Sequence, residues 1–280
     1  MNAEPTCCRS SWLLIFAGAA LVLSACPVIA GLAPQGATTQ IKAARPGERY
    51  RGSIALRNTG TQPADVKIYR TDFFFTADGR TDYGAPGQLP RSNAAWVRLN
   101  QEQITVTANG SASVEYEVRV PDDARLAGTY WSTLMIEQVS GAEATQAHRR
   151  QPQLRQIVRH AIQVITEIDA ADPASRSNTA IAFDNAHLID AEGKRWLSVD
   201  VKNTGERWLR TALWLELHDS QGKPVGKFLG HRLRTFPATS VRGRIDLSGV
   251  TPGRYLALLV ADAGGDNLFG AHIELDIPPR

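Results

Sequence analysis

From residue 40 onward the chain is a succession of short stretches in which apolar and polar residues alternate, and no stretch sustains an apolar period of 3.6 residues. RYRGSIALRN places Tyr50, Ile54 and Leu56 on apolar positions and closes on the turn tripeptide Asn58-Thr59-Gly60. ADVKIYRTDFFF, AAWVRL, QITVTA, SASVEYEVRV and GTYWSTLMIEQ follow, each rich in β-branched or aromatic residues and bounded by Asp, Gly, Pro or Asn. Side chains of a strand alternate between two faces, so each stretch can bury one face only by stacking on a second sheet. The pattern predicts an all-β fold built as a sandwich.

The pattern occurs twice. WLSVDVKNTGERWLRTALWLEL carries Asn203-Thr204-Gly205 behind an alternating strand, as SIALRNTGTQPADVKIY carries Asn58-Thr59-Gly60. Further on, Gly253 and Gly128 each open a turn into a strand that starts on an aromatic residue. The order of these features is the same in both halves. A length of 280 residues suits two ordinary domains, so we expect two tandem immunoglobulin-like sandwiches, over residues 31–168 and 179–280, joined by the small polar linker 169–178. The stretch SGAEATQAHRRQP, residues 140–152, reads as the loop joining the last two strands of the first sandwich.

Residues 1–30 read as a signal peptide: Arg9 precedes the apolar run WLLIFAGAALVLSA, which is too short for a membrane span. Two exits compete. An ordinary cut after Ala30, with Val28 and Ala30 at the small-residue positions, leaves Gly31 first; alternatively LSAC resembles a lipobox, with Cys26 lipidated and only then a membrane anchor. Pro27 directly after the cysteine favours the ordinary cut. Cys7, Cys8 and Cys26 all lie at or before the cut, so no disulfide is expected in the exported domains. The compartment is periplasm-like.

Catalytic signatures are lacking. The six histidines are scattered without metal-ligand spacing, and there is no nucleophile elbow, phosphate loop or dinucleotide fingerprint. We expect no enzyme activity, no metal and no cofactor. A net charge of +3 with no recognition motif argues against nucleic acid.

Two features could carry binding. LRQIVRHAIQVITEI, residues 154–168, is a long strand pattern, apolar on both faces. One set is Leu154, Val158, Ile162 and Val164, with Gln156 and His160 between them; the other is Ile157, Ala161 and Ile165 if a bulge slips the phase, or Arg155, Ile157, Arg159, Ala161 and Ile165 if it does not. Burial on one side and a partner on the other would produce that pattern, as would burial within a sandwich. The candidate partner-binding residues are Leu154, Arg155, Ile157, Val158, Arg159, Ala161, Ile162 and Ile165. The second feature is a basic surface of Lys223, Lys227, Arg232, Arg234, Arg242 and Arg244, with Asp246 the one acid between Lys223 and Arg254. Such a face could dock on peptidoglycan or another envelope polyanion, or serve for solubility and edge protection.

PGERYRGSIALRNTGTQPADVKIY, ITVTANGSASVEYEVRVPDD, AGTYWSTLMIE and the strand 154–168 together resemble the periplasmic pilus-assembly chaperone superfamily, over residues 46–168. The resemblance implies donation of an edge strand to a secreted or fimbrial subunit that lacks one. It also implies an Arg on the first strand and a Lys on the last strand of the first domain, anchoring the subunit's terminal carboxylate. This sequence has Thr38 or Thr39 near the first position and Ala161-Ile162 near the second, leaving Arg159 with Lys42 as the substitute pair to test.

Overall fold

The computed structural model describes residues 31–139, 157–169 and 178–279. The signal peptide, Cys26, Leu154, Arg155, the 140–152 stretch and most of the linker fall outside the described residues. Among the described residues, Leu32–Ile168 hold ten strands: β1 (Leu32–Gln35), β2 (Thr39–Ala44), β3 (Arg49–Asn58), β4 (Ala64–Phe75), β5 (Thr81–Gly84), β6 (Val97–Leu99), β7 (Gln103–Val106), β8 (Ser111–Arg119), β9 (Gly128–Val139) and β10 (Arg159–Ile168). One sheet has the order β1-β3-β8-β6; the other runs β2-β10-β9-β4-β5, with β7 also on β4.

The alternating residues meet between the two sheets. Ile54 and Leu56 of β3 and Val114, Tyr116 and Val118 of β8 face Val66 and Ile68 of β4, Leu134 and Ile136 of β9, and Ile162, Val164 and Ile168 of β10. All are buried, which puts apolar area out of water at about 25 cal/mol per Å².

The first strand of the chain is shared between the sheets. Its leading part, β1, pairs antiparallel with β3. Past Gly36, whose φ of +86° suits glycine, the chain crosses over and β2 pairs parallel with β10.

The second half forms β11 (Ile181–Ala191), β12 (Lys194–Asn203), β13 (Leu209–Asp219), β14 (Pro224–Thr235), β15 (Ser240–Asp246), β16 (Gly253–Asp262) and β17 (Leu268–Ile277). They follow the order β11-β12-β15-β14-β13-β16-β17, the two faces being joined where Gly230 of β14 meets Ile245 of β15. Leu197, Val199 and Val201 pack with Leu213, Leu215, Leu217, Ile245 and Leu259 as the second core. The architecture is two tandem immunoglobulin-like sandwiches, as the alternation requires.

The repeated tripeptide does the same work in both. Asn58 and Asn203 are buried; each accepts the N–H of the glycine two residues on at 2.9 Å and donates to the carbonyl four residues on, Gln62 at 2.8 Å and Arg207 at 2.7 Å. An asparagine that bends the chain and satisfies buried backbone groups at once explains why turn chemistry recurs at one place in each half.

The sandwiches pack against each other. Trp131 of β9, Ile165 of β10 and Phe236 after β14 form a small apolar cluster, with Phe73, Phe75 and Trp208 around it. The Trp131 and Phe236 rings stack at 5.0 Å. The Thr129 N–H donates to the Glu206 carbonyl at 2.8 Å, the Trp208 N–H to the Thr129 hydroxyl at 2.8 Å, and Arg91 pairs with Glu206 at 2.6 Å.

Candidate strand-donating edge

β10 is paired unequally along its length. On one side β9 accompanies it throughout, from Arg159 opposite Glu137 to Ile168 opposite Gly128. On the other side β2 begins only at Thr39, opposite Gln163, and follows as far as Ala44 opposite Ile168. The first ladder bond on that side is Gln163 N–H to the Thr38 carbonyl at 2.8 Å. Among the described residues, Arg159 to Ile162 therefore have a strand partner on one side only. Unpaired main-chain donors and acceptors along an apolar strand form a template for another chain.

The side chains divide in the same place. The set Ile162, Val164, Ile168 points into the first core. Continuing backwards with period two, His160 sits at the rim, its Nε2 3.1 Å from the Leu32 carbonyl, and Val158 lies beyond the sandwich with half its surface exposed (51%). Ile157, of the opposite set, is 49% exposed. In that set Arg159 pairs with Glu137 at 2.7 Å, Ala161 lies opposite Met135, and Ile165 closes the junction between the sandwiches.

Two partner-binding expectations are corrected by this geometry. Ile162, 1% exposed, is part of the first core, and Ile165, 0% exposed, is held by Trp131 and Phe236. Neither can face a foreign chain without opening the fold. Ile157 and Val158 remain accessible, with Arg159 and Ala161 on the unpaired stretch. The substitute pair of Arg159 and Lys42 is also corrected. Lys42 is in register with Thr166, seven positions along β10 from Arg159, or about 23 Å at strand rise.

The basic surface of the second sandwich is interleaved with acids from neighbouring strands. Arg242 forms a fork on Asp200 at 2.8 and 3.2 Å, and holds that carboxyl below its usual range. Lys227 pairs with Glu216 at 3.6 Å and lies 3.8 Å from the centre of the Trp214 ring. Arg234 turns to the junction. Lys223, Arg232 and Arg244 are exposed but lie on separate strands or turns. The one-sided cationic face expected from β14 and β15 is thus broken up. Among the described residues no group of three histidine, cysteine or acidic side chains could hold a metal ion, and no helix is long and apolar enough to cross a membrane.

The end of the open edge gathers residues whose place there the sequence did not show. Asn93, wholly buried, donates to the Val164 carbonyl at 3.2 Å and the Thr166 hydroxyl at 2.9 Å, pinning the doubly paired half of β10. Arg234 donates from Nη1 to Thr39 Oγ1 at 3.3 Å and to Gln163 Oε1 at 3.4 Å, at the point where β2 begins. Its guanidinium lies 5.5 Å from the centre of the Trp208 ring. Only the folded arrangement brings residues 39, 163 and 234 together.

No protein-family model and no curated protein matches the sequence. Comparison with solved structures finds similarity to a chain of the chaperone–tip adhesin complex of CFA/I fimbriae biogenesis, at 11% identity and a TM-score of 0.49, covering 89% of this chain and 100% of that one. The class 5 fimbriae chaperone CfaA is similar at 10% identity and a TM-score of 0.46, over 89% of this chain and 100% of its own. A chain of the CsuC–CsuE chaperone–tip adhesion subunit pre-assembly complex of Acinetobacter baumannii is similar at 12% identity and a TM-score of 0.44, over 86% and 98%.

Proposed function

We propose that this chain is a periplasmic chaperone-like protein of pilus assembly that captures a fimbrial or other secreted surface subunit by lending it the open edge Ile157–Ile162. The observation that carries this reading is the late start of β2, which among the described residues leaves Arg159–Ile162 without a partner on one side while Ile157 and Val158 stand half exposed just before them. A subunit lacking one strand of its own sandwich has the complementary defect. Main-chain hydrogen bonds would supply sequence-tolerant affinity, and the half-exposed Ile157 and Val158 would both be covered by the subunit's groove. Completing the burial of a half-exposed Ile or Val adds about 1 kcal/mol each. The sequence resemblance to pilus-assembly chaperones fits the same act, and export fits the compartment in which such subunits fold.

The direct test is affinity capture from native periplasm with the mature wild-type chain and an Ile157→Asp variant, alongside circular dichroism of both. We expect the variant to keep its β spectrum and melting temperature and to lose its client. Retention of client by a folded Ile157→Asp chain would refute strand donation. Docking on an envelope polyanion depended on a continuous basic face, and the Arg242–Asp200 and Lys227–Glu216 pairs interrupt it.

A further inference from the structure

We propose that the outer face of β14, β13, β16 and β17 in the second sandwich is the interface of a weak two-fold symmetric homodimer. The inference starts from β16. GRYLALLVAD is apolar on both parities: Tyr255, Ala257 and Leu259 enter the second core, while Leu256, Leu258 and Val260 point the other way. An antiparallel sandwich ordinarily keeps that outer face polar. Here the register carries an apolar strip across three strands, since Val260 lies opposite Trp214 of β13 and Trp214 opposite Leu229 of β14. Leu229 is 72% exposed, more than any other large apolar side chain among the described residues, and Leu256 is 52% exposed. Gly270 of β17, opposite Val260, adds no side chain that would cover the end of the strip.

The charges on either side of the strip identify its occupant. The β14 flank is basic, with Arg232 and Lys227; the β16–β17 flank is acidic, with Asp262 and Glu274. Among the described residues Arg232, Asp262 and Glu274 have no ion-pair partner, and Lys227 has Glu216 at 3.6 Å. A two-fold axis parallel to the strands lays β14 of one copy over β17 of the other and β13 over β16. Arg232 then approaches the partner's Asp262, Lys227 the partner's Glu274, and Trp214 the partner's Leu258, and every contact occurs twice. A face that is basic on one flank, acidic on the other and apolar between them is complementary to itself. Four strands by about eight residues cover roughly 500 Å² per copy, or about 1,000 Å² for the pair, the lower limit of a specific interface. The dimer is therefore weak, with a dissociation constant on the order of 10 μM. It lies wholly in the second sandwich and leaves the open edge of β10 free.

Sedimentation equilibrium of the mature chain over roughly 1 to 300 μM should show the weight-average mass rising from one protomer toward two. Leu229→Glu and Leu256→Asp, at positions already more than half in water, should keep the circular dichroism spectrum and weaken association about tenfold or more. Lys227→Glu and Glu274→Lys should each weaken it alone, because like charges then meet twice. An equimolar mixture of those two variants should restore it, because both contacts become opposite in sign. Ile157→Asp should leave it unchanged; loss of association in that variant would place the contact at the open edge and overturn the proposal. A chain that stays monomeric throughout overturns it, as does association indifferent to Leu229→Glu and Leu256→Asp. A mixture of the charge variants that associates no better than either alone overturns the matched flanks. If the wild-type chain is monomeric and Leu229→Glu removes a protein captured from periplasm, the face serves that protein and the homodimer is refuted.

Discussion

The two halves of β10 share one strand, one hydrophobic pattern and one neighbour, β9, yet are built for opposite ends. From Gln163 to Ile168 the backbone is paired on both sides, Asn93 ties down two of its polar groups, and Ile165 and Ile168 are fully buried. From Arg159 to Ile162 one side is open among the described residues, and Ile157 and Val158 just before them are half exposed. The difference comes from elsewhere: β2 arrives at Thr39 and no earlier, because β1 is committed to β3 in the other sheet. An edge of this kind needs no unusual sequence of its own. It needs only a neighbour that starts late.

The comparison predicts a steep gradient of mutational cost along a single strand. At the closed half, Ile165→Asp would place an unpaired charge between Trp131 and Phe236 and should cost about 4 kcal/mol or more, enough to lose the cooperative thermal transition of the mature chain. At the open half, Ile157→Asp should change stability by no more than about 0.5 kcal/mol, since the side chain is already half in water. Thermal melts of the pair, followed by circular dichroism, give the answer. Equal destabilisation would show that residues 157–162 are as closed as residues 163–168.

An intermediate effect is expected where β9 begins. Gly128 lies opposite Ile168 with φ of +81°, and a Cβ there would come within 2.4 Å of the Glu206 carbonyl oxygen. Gly128→Ala combines left-handed strain with a clash against backbone of the other domain, and should cost about 1–3 kcal/mol. Because the clash is at the junction, calorimetry should show the single transition broadening or separating into two. An unchanged single transition would mean that the domains melt together for reasons other than this contact.

How far the sequence speaks for this gradient differs by residue. The sandwiches were readable from alternation, and the Asn58 and Asn203 turns from their repeated tripeptide, because both signals are local. Parity along 154–168 was also readable, since Ile162 and Val164 necessarily share a face. Which parity enters the core, and where the core stops, depends on β2, more than 120 residues upstream of its partner (Thr39 with Gln163). A single-strand reading therefore could not separate Ile157 from Ile165. The basic surface shows the same limit. Asp200 neutralises Arg242 from 42 positions away, and the two are neighbours only because β12 pairs with β15. Arg234 was singled out for its charge, but its place beside Gln163 required the packing of one sandwich on the other.

The smallest expected effect tests whether the closed half is also an electrostatic joint. Glu167 accepts the Thr129 hydroxyl at 2.6 Å and faces Arg207 of the second sandwich at 3.3 Å. Burial raises its pKa above the ordinary carboxylate value, outweighing the opposing pull of the Thr129 hydrogen bond and Arg207. A carboxyl whose folded pKa exceeds its unfolded one binds more protons when folded, so its contribution to stability falls as pH rises through the folded value. The penalty is therefore present at neutral pH and is relieved as pH drops toward the unfolded value. Glu167→Gln should melt slightly higher than wild type at pH 7, and the gap should close on acidification below pH ~4.5. Melting curves over that range separate two cases. A variant less stable at pH 7 would mean that the ion pair with Arg207 outweighs the cost of burial, making charge rather than apolar packing the dominant tie at this end of β10.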